Sequence, residues 1–184
     1  MPSTKESIIH LADEFIRSRG YTAFSYADIS KPLGIKNAAV HYHYPSKSDL
    51  AVALVEWHID HFERFKEKNE SKSPADQIKT FLNFYHSIHL SGKVCLIGAF
   101  STDWNSINED TQGLLRTFTN LVIDWLSEVL QKGLDTGAFN FANAPRAEAL
   151  RVLTNIFAAA QLSRITDSQD FILVKESIIR ELTK

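Results

Sequence analysis

Apolar residues recur at intervals of three and four along almost the whole chain, and no stretch alternates apolar and polar positions between hairpin turns. The spacing predicts an all-α protein. In residues 4–19, Ile8, Leu11, Ala12, Phe15 and Ile16 line one helical stripe, and Gly20 is expected to stop it as a left-handed cap. The stretch SYADISKPLG predicts a helix of about two turns, opened by a Ser25–Asp28 capping box and ended at Gly34, with Pro32 distorting its last turn. Asn37 is of the residue type that caps a helix, so a third helix should start there, reach Tyr44 and stop at Pro45.

A long amphipathic helix follows over residues 46–68, closed by the polar stretch KNESKSPADQ. It is expected to connect a front domain, residues 1–47, to a rear domain, residues 48–184. Ser73, Pro74 and Asp76 stand in the order of N-cap, first-turn proline and first-turn acid, which opens a helix to about Ser91. A helix of about ten residues around KVCLIGAFSTDW comes next, loosened at Gly98. Asn108 caps a long helix with Glu109 and Asp110 in its first turn, and Gly137 closes it. Asn143 and Pro145 open another, to about Ile165, and Asp167 or Ser168 caps the last, to about Leu182.

Composition adds exclusions. The 184 residues are apolar and charged in ordinary soluble proportions, and no run approaches the roughly 20 apolar residues of a membrane span. Acidic residues in MPSTKESIIHLADEF interrupt any secretory core, and the lone Cys95 forms no internal disulfide, so a cytoplasmic protein is expected. Charge is unevenly placed. Residues 1–47 hold six Lys and Arg against four acids, while the remainder holds 14 against 18, the direction of a polyanion-binding head on an acidic body.

Three short helices with a tight glycine turn at LGIKN between the second and third make a helix-turn-helix pattern. The third displays Lys36, Asn37, Ala38, Ala39, His41, Tyr42 and His43, while Ile35, Val40 and Tyr44 face inward. Small Ala38 and Ala39 allow close approach to a major-groove floor, and the longer polar side chains reach base edges or phosphates. Lys47, at the start of the next helix, is read as a free cation for a phosphate oxygen, and Ser25 completes the candidate DNA-binding set. His41 and His43, two apart on a helix, point about 200° away from each other and cannot share a metal ion.

Over residues 4–55 the chain resembles the TetR family of bacterial transcriptional repressors. The segment LGIKNAAVHYHYPSKSDL agrees with that family at Gly34, Ile35, Val40, Tyr42, His43, Tyr44, Pro45, Ser46 and Lys47, and ADEFIRSRGYTAFSYADIS is similar to its first two helices. Lys36 stands where serine is common, Ala39 where threonine is, and His41 where a groove-facing tyrosine is. The resemblance implies a homodimer on double-stranded operator DNA, released by a small-molecule effector and needing no cofactor. VCLIGAF and the turn LDTGAFNFANAPRAEAL are similar to the family's regulatory domain. That domain implies a pocket roofed by the fourth helix and lined from Phe62, Phe65, Phe81, Tyr85, His89, Cys95, Phe100, Trp104, Phe118 and Trp125. The last two helices, with FAAAQ, Leu150, Leu153, Phe157, Ala160, Ile172, Ile179 and Leu182, imply the dimer interface, since a broad apolar stripe on a terminal pair needs a cover.

Other chemistry can be drawn from the same residues. Cys95 with His86 or His89 would make a nucleophile and base, although no phosphate loop, nucleophile elbow or ligand cluster accompanies them. A Cys95 thiolate beside Lys93 and His89 would sense electrophiles or oxidants, against the plainer reading of a small buried hydrophobe. His58 with His61, and His86 with His89, are three apart and could share a helix face for a metal, or simply lie on the helix surface. A helical interaction module that keeps the helix-turn-helix as scaffold is the remaining alternative.

Overall fold

The computed structural model describes residues 3–183. Among them are nine α-helices and no strand: α1 (Thr4–Arg19), α2 (Tyr26–Leu33), α3 (Asn37–His43), α4 (Lys47–Asn69), α5 (Pro74–Leu90), α6 (Leu96–Thr102), α7 (Glu109–Asp135), α8 (Pro145–Leu162) and α9 (Ser168–Leu182), with a 3-10 turn at Trp104–Ser106. The chain forms two compact units, Met1–His61 with Cys95–Phe118, and Phe62–Val94 with Thr119–Lys184. These units divide the chain at other points than residue 47.

In the first unit the Ser3 hydroxyl accepts from the Glu6 amide at 3.2 Å and the Glu6 carboxylate accepts from the Ser3 amide at 2.7 Å, so α1 begins with two donors satisfied. Ile8, Ala12 and Ile16 bury the predicted stripe of α1 in a core shared with Ile29, Val40, Leu50, Leu54 and Phe100. Gly20 has φ 99° and ψ 161°, positive but extended rather than left-handed helical, so the chain leaves α1 without turning back. Asp13, buried beside this stripe, accepts from His58 Nε2 of α4 at 2.7 Å and from Arg17 at 3.0 Å. Next to His58 in α4, the Trp57 ring meets those of His61, His58 and His10 of α1, at 3.7, 5.0 and 5.3 Å between ring centres.

In the second unit Phe171 of α9 is fully buried and stacks on His89 and His86 of α5, ring centres 4.6 Å and 5.5 Å apart. Glu148, buried on α8, accepts from Asn143 at 2.9 Å and pairs with Arg151, which reaches on to Glu181 of α9 at 2.5 Å. Leu182 accepts from the Asn140 amide at 2.9 Å, tying the loop before α8 to the end of α9. Gly133 of α7 faces the Phe139 ring so closely that a Cβ there would sit 1.8 Å from a ring carbon.

Two helices differ from expectation. The segment around Gly98 is an uninterrupted but short α6, because Asp103 ends it and a separate 3-10 turn follows. Helix α8 stops at Leu162 rather than near Ile165: the Ser163 hydroxyl donates back to Ala159 O at 2.7 Å and the next amides close turns onto Gln161 and Leu162.

Two predictions follow from this packing. Gly133→Ala and Gly113→Ala replace glycine in the same helix, and each gains about 1 kcal/mol of helix propensity. Nothing lies within 4 Å of a Cβ at Gly113, so that variant should be more stable, whereas Gly133→Ala must displace Phe139, an overpacking cost of about 1–3 kcal/mol. Opposite shifts in melting temperature are expected, and a stabilised Gly133→Ala would contradict this packing. The second concerns His58. Burial lowers its pKa below the ordinary 6.5, against the opposing pull of Asp13. The unfolded state then binds more protons just below pH 6.5, so stability is full above that value and falls as pH drops, by at most about 1.4 kcal/mol per pH unit for one proton. His86 is lowered too, by burial and then by Lys175, and shares the direction. Urea midpoints measured from pH 5 to 7 should therefore slope upward, and less steeply in His58→Gln.

Candidate nucleic-acid interface

Helices α2 and α3 meet through a turn that only a left-handed residue closes. Gly34, at φ 64° and ψ 26°, donates to Lys31 O at 3.1 Å, and Ile35 donates to Ser30 O at 3.1 Å. Ser25 caps α2: its amide and its hydroxyl both donate to Asp28 at 2.7 Å, and these bonds hold the Asp28 carboxyl below the usual range. Helix α3 is capped by Lys36 rather than Asn37, because the Asn37 side-chain oxygen accepts from the Ser30 hydroxyl and is no longer available to its own helix. Val40 and Tyr44 are buried and Ile35 half-buried, as the inward stripe requires.

The other face of α3 is turned to solvent. Lys36, Asn37, Ala38, His41 and Tyr42 are exposed, Tyr42 at 83%, and Ala39 and His43 are half-buried. Tyr26 of α2 holds the far end of α3, its hydroxyl donating to Tyr44 O at 2.9 Å and Ser46 O at 2.5 Å. Burial raises its phenol well above the ordinary range, so this donor keeps its proton. The His41 ring lies 4.6 Å from the Tyr26 ring, and its Nδ1 is 3.1 Å from Pro45 O.

Lys47 is not the free cation expected from its position. Its ammonium turns inward, donates to Phe24 O at 2.6 Å and sits over the Phe24 and Tyr21 rings at 4.2 and 4.9 Å. Burial lowers its pKa, against Asp103 and Asp28. The first turn of α4 is occupied by its neighbours: Ser46 N–H donates to Asp49 at 2.8 Å and Asp49 N–H to the Ser46 hydroxyl at 3.2 Å.

Asp103, which sequence reasoning missed, reaches the same loop from the end of α6. Its carboxylate accepts from the Tyr21 amide at 2.6 Å and the Thr22 hydroxyl at 3.2 Å, and a Cβ on Gly20 would lie 3.0 Å from it. The partners are 82 and 81 residues apart, so no local pattern announces them. The glycine was visible; its partner was not.

The aromatic residues expected to line a pocket fall into two groups. In the second unit, Trp125 meets Phe62 at 5.7 Å, Phe65 at 5.5 Å and Phe81 at 5.5 Å, and Phe81 meets Tyr85 at 4.9 Å, so these five form one ring cluster. His89 stands apart on Phe171, with Nδ1 3.2 Å from the Ser163 hydroxyl. Cys95, Phe100, Trp104 and Phe118 belong to the first unit. There Phe100 packs on Tyr21 at 5.7 Å, Trp104 under the Arg116 guanidinium at 5.0 Å, and Phe118 near His58 at 6.1 Å.

Cys95 caps α6, its Sγ accepting from the Gly98 amide at 3.3 Å. Burial pushes the thiol up to about 11, and the cation that opposes this is Arg17 rather than Lys93. A thiol so placed stays protonated near neutrality, the opposite of the lowered pKa that marks cysteine nucleophiles and thiolate sensors. Among the described residues no group of three or more His, Cys, Asp and Glu could hold a metal ion, and no helix is long and apolar enough to cross a membrane.

The inward Lys47 changes what its removal should do. A phosphate contact would leave the DNA-free protein unaffected, but Lys47→Ala strips a charged donor from Phe24 O and a cation from two rings, a loss of about 1–2 kcal/mol. Denaturation without DNA should detect it, and an unchanged midpoint would restore the reading of a free cation.

Residues 8–54 match the profile of the bacterial regulatory proteins of the tetR family. A TetR transcriptional regulator from Legionella pneumophila has the same fold over 99% of this chain and 98% of its own, with a TM-score of 0.88 and 29% identity. A TetR-family regulator from Agrobacterium tumefaciens covers 98% and 97%, with a TM-score of 0.90 and 26% identity. The HTH-type transcriptional regulator CymR of Pseudomonas putida is 28% identical over 142 residues, 71% of this chain and 68% of that one. Each is a regulator of transcription, which leaves the enzyme reading without support. Residues 8–54 therefore carry the DNA-binding domain of the tetR family, a helix-turn-helix whose outer face is exposed, and the chain is a DNA-binding transcriptional regulator similar along its length to regulators of that family.

Proposed function

We propose that the protein is a homodimeric repressor that holds a near-palindromic operator and lets it go when a small molecule binds. The observation that carries this reading is α3: a short helix whose inner residues are buried, whose end is held by Tyr26, and whose outer face presents Lys36, Asn37, Ala38, His41 and Tyr42. Ser25 at the start of α2, with Ala39 and His43 at the edges of α3, completes the surface offered to DNA. Lys47 would contribute through the loop it holds rather than through its ammonium.

Effector binding is read from the ring cluster of Phe62, Phe65, Phe81, Tyr85 and Trp125, whose composition suits an apolar or aromatic molecule. An effector that binds better to a conformation with the wrong recognition-helix spacing shifts the population off DNA by its differential affinity. Helix α4, which begins just after α3 and carries Phe62 and Phe65, is the natural lever.

The dimer is read from α8 and α9. Of the terminal stripe, Leu153, Ala160 and Leu182 are already buried within the subunit, Phe157, Ile172 and Ile179 are half-buried and Leu150 is exposed; Leu162, Ile165 and Leu173, outside that stripe, are exposed as well, Ile165 at 85%, and these remaining surfaces are left to a partner. Covering them with a second copy would form a four-helix bundle across a twofold axis.

The test is binding to a duplex carrying an inverted repeat from the DNA upstream of the gene, followed across salt. Affinity should fall steeply as salt rises, and more shallowly when phosphate contacts are removed. Leu173→Glu should turn a dimer into a monomer in sedimentation and weaken operator binding by more than tenfold, because one head retains only half-site affinity. A wild-type monomer at micromolar concentration that still bound operator tightly would sink the twofold reading.

A further inference from the structure

We propose that His41 reads the operator as a hydrogen-bond acceptor, its Nε2 lone pair meeting the amino group of an adenine or a cytosine in the major groove. The proposal rests on the reading of α3 as the recognition helix. It comes from the way three successive carbonyls are shared out where α3 ends.

Tyr44 O and Ser46 O both accept from the Tyr26 hydroxyl, on the inner side of the chain. The carbonyl between them, Pro45 O, is the one His41 Nδ1 approaches, at 3.1 Å. A carbonyl oxygen only accepts, so Nδ1 must carry the hydrogen. A neutral imidazole has one N–H and one lone pair, and with the hydrogen on Nδ1 the lone pair is left on Nε2. An unconstrained histidine favours the opposite tautomer, so here the fold makes the choice.

The ring is also held in place. It packs against Tyr26 at 4.6 Å, and Tyr26 is itself pinned by its two carbonyls, so turning His41 would break the Pro45 bond and the ring contact together. His41 is exposed, on the outer face of α3. Side chains that accept from cytosine N4 are usually Asp or Glu. Neither occurs in α3, whose residues are NAAVHYH. A neutral imidazole supplies the acceptor without placing an anion in the negative field of the groove. Lys36, at the other end of α3 as its N-cap, can only donate, so the two side chains differ in the kind of base edge each could meet.

Two measurements test this. Nitrogen-15 NMR of histidine-labelled protein, at a pH where the imidazole is neutral, should show His41 with its proton on Nδ1; an Nε2–H signal overturns the assignment. Operators would then be selected from randomised duplex with wild type and His41→Ala. At the adenine or cytosine that wild type prefers and the variant does not, an analogue lacking the exocyclic amino group should cost wild type roughly two- to tenfold in affinity and the variant nothing. His41→Gln, whose amide oxygen can also accept, should keep part of the discrimination, and the donor-only His41→Lys should lose it. Loss on removing a purine N7, with no loss on removing the amino group, would show His41 donating and overturn the proposal. A wild-type protein that selected no sequence would sink the recognition-helix reading and this one with it, whereas sequence selection untouched by His41→Ala would overturn this one alone.

Discussion

Backbone amides and carbonyls in the loop between α1 and α2 have no helix to satisfy them, and the first unit is arranged around that need. The Tyr21 amide and the Thr22 hydroxyl are taken by Asp103 at the end of α6, and Phe24 O is taken by Lys47 at the start of α4. Leaving such groups unpaired away from water costs about 1–3 kcal/mol each, comparable to the gain from burying a large side chain. Two segments distant in sequence therefore commit charged side chains to one six-residue loop, residues 20–25. The position of α2, and through Tyr26 the position of α3, depends on that loop.

The interface is consequently poor in free positive charge. With Lys47 committed, α3 and its caps offer Lys36 as the exposed lysine, beside alanines, an asparagine, a tyrosine and histidines. Cations on phosphates set affinity for any sequence, while hydrogen-bonding and apolar side chains at base edges set preference among sequences. On the proposal that α3 is the recognition helix, that balance would favour discrimination among sequences over non-specific attraction.

Most elements were readable in the sequence because their signals are local. The Ser25–Asp28 box, the left-handed Gly34, Asn108 before α7 and Ser73–Pro74 before α5 all act within four residues, and each stands where it was expected. Where a side chain's role was misread, the cause is a partner beyond the reach of those local signals. Asn37 is a sound cap by type, but the Ser30 hydroxyl seven residues earlier claims its oxygen. Lys47 is exposed by position, but Phe24 O captures it, and Asp103 and His58 find partners 82 and 45 residues away. The aromatic stripes announced burial without naming neighbours, so Phe62, Phe65, Phe81, Tyr85 and Trp125 came together while Phe100, Trp104 and Phe118 found their contacts in the first unit.

The three tryptophans have ended in three chemically different settings, and that makes the protein its own optical instrument. Trp57 is met by three imidazoles, those of His10, His58 and His61, and imidazoles quench indole emission more strongly once protonated. Trp104 lies under a guanidinium, and Trp125 is buried against three phenyl rings, a setting in which indole emission is expected toward the blue. Two of these reporters belong to the unit that reads DNA and the third to the unit that carries α8 and α9. Variants keeping a single indole would let the two units be followed separately by fluorescence, with no dye attached to either.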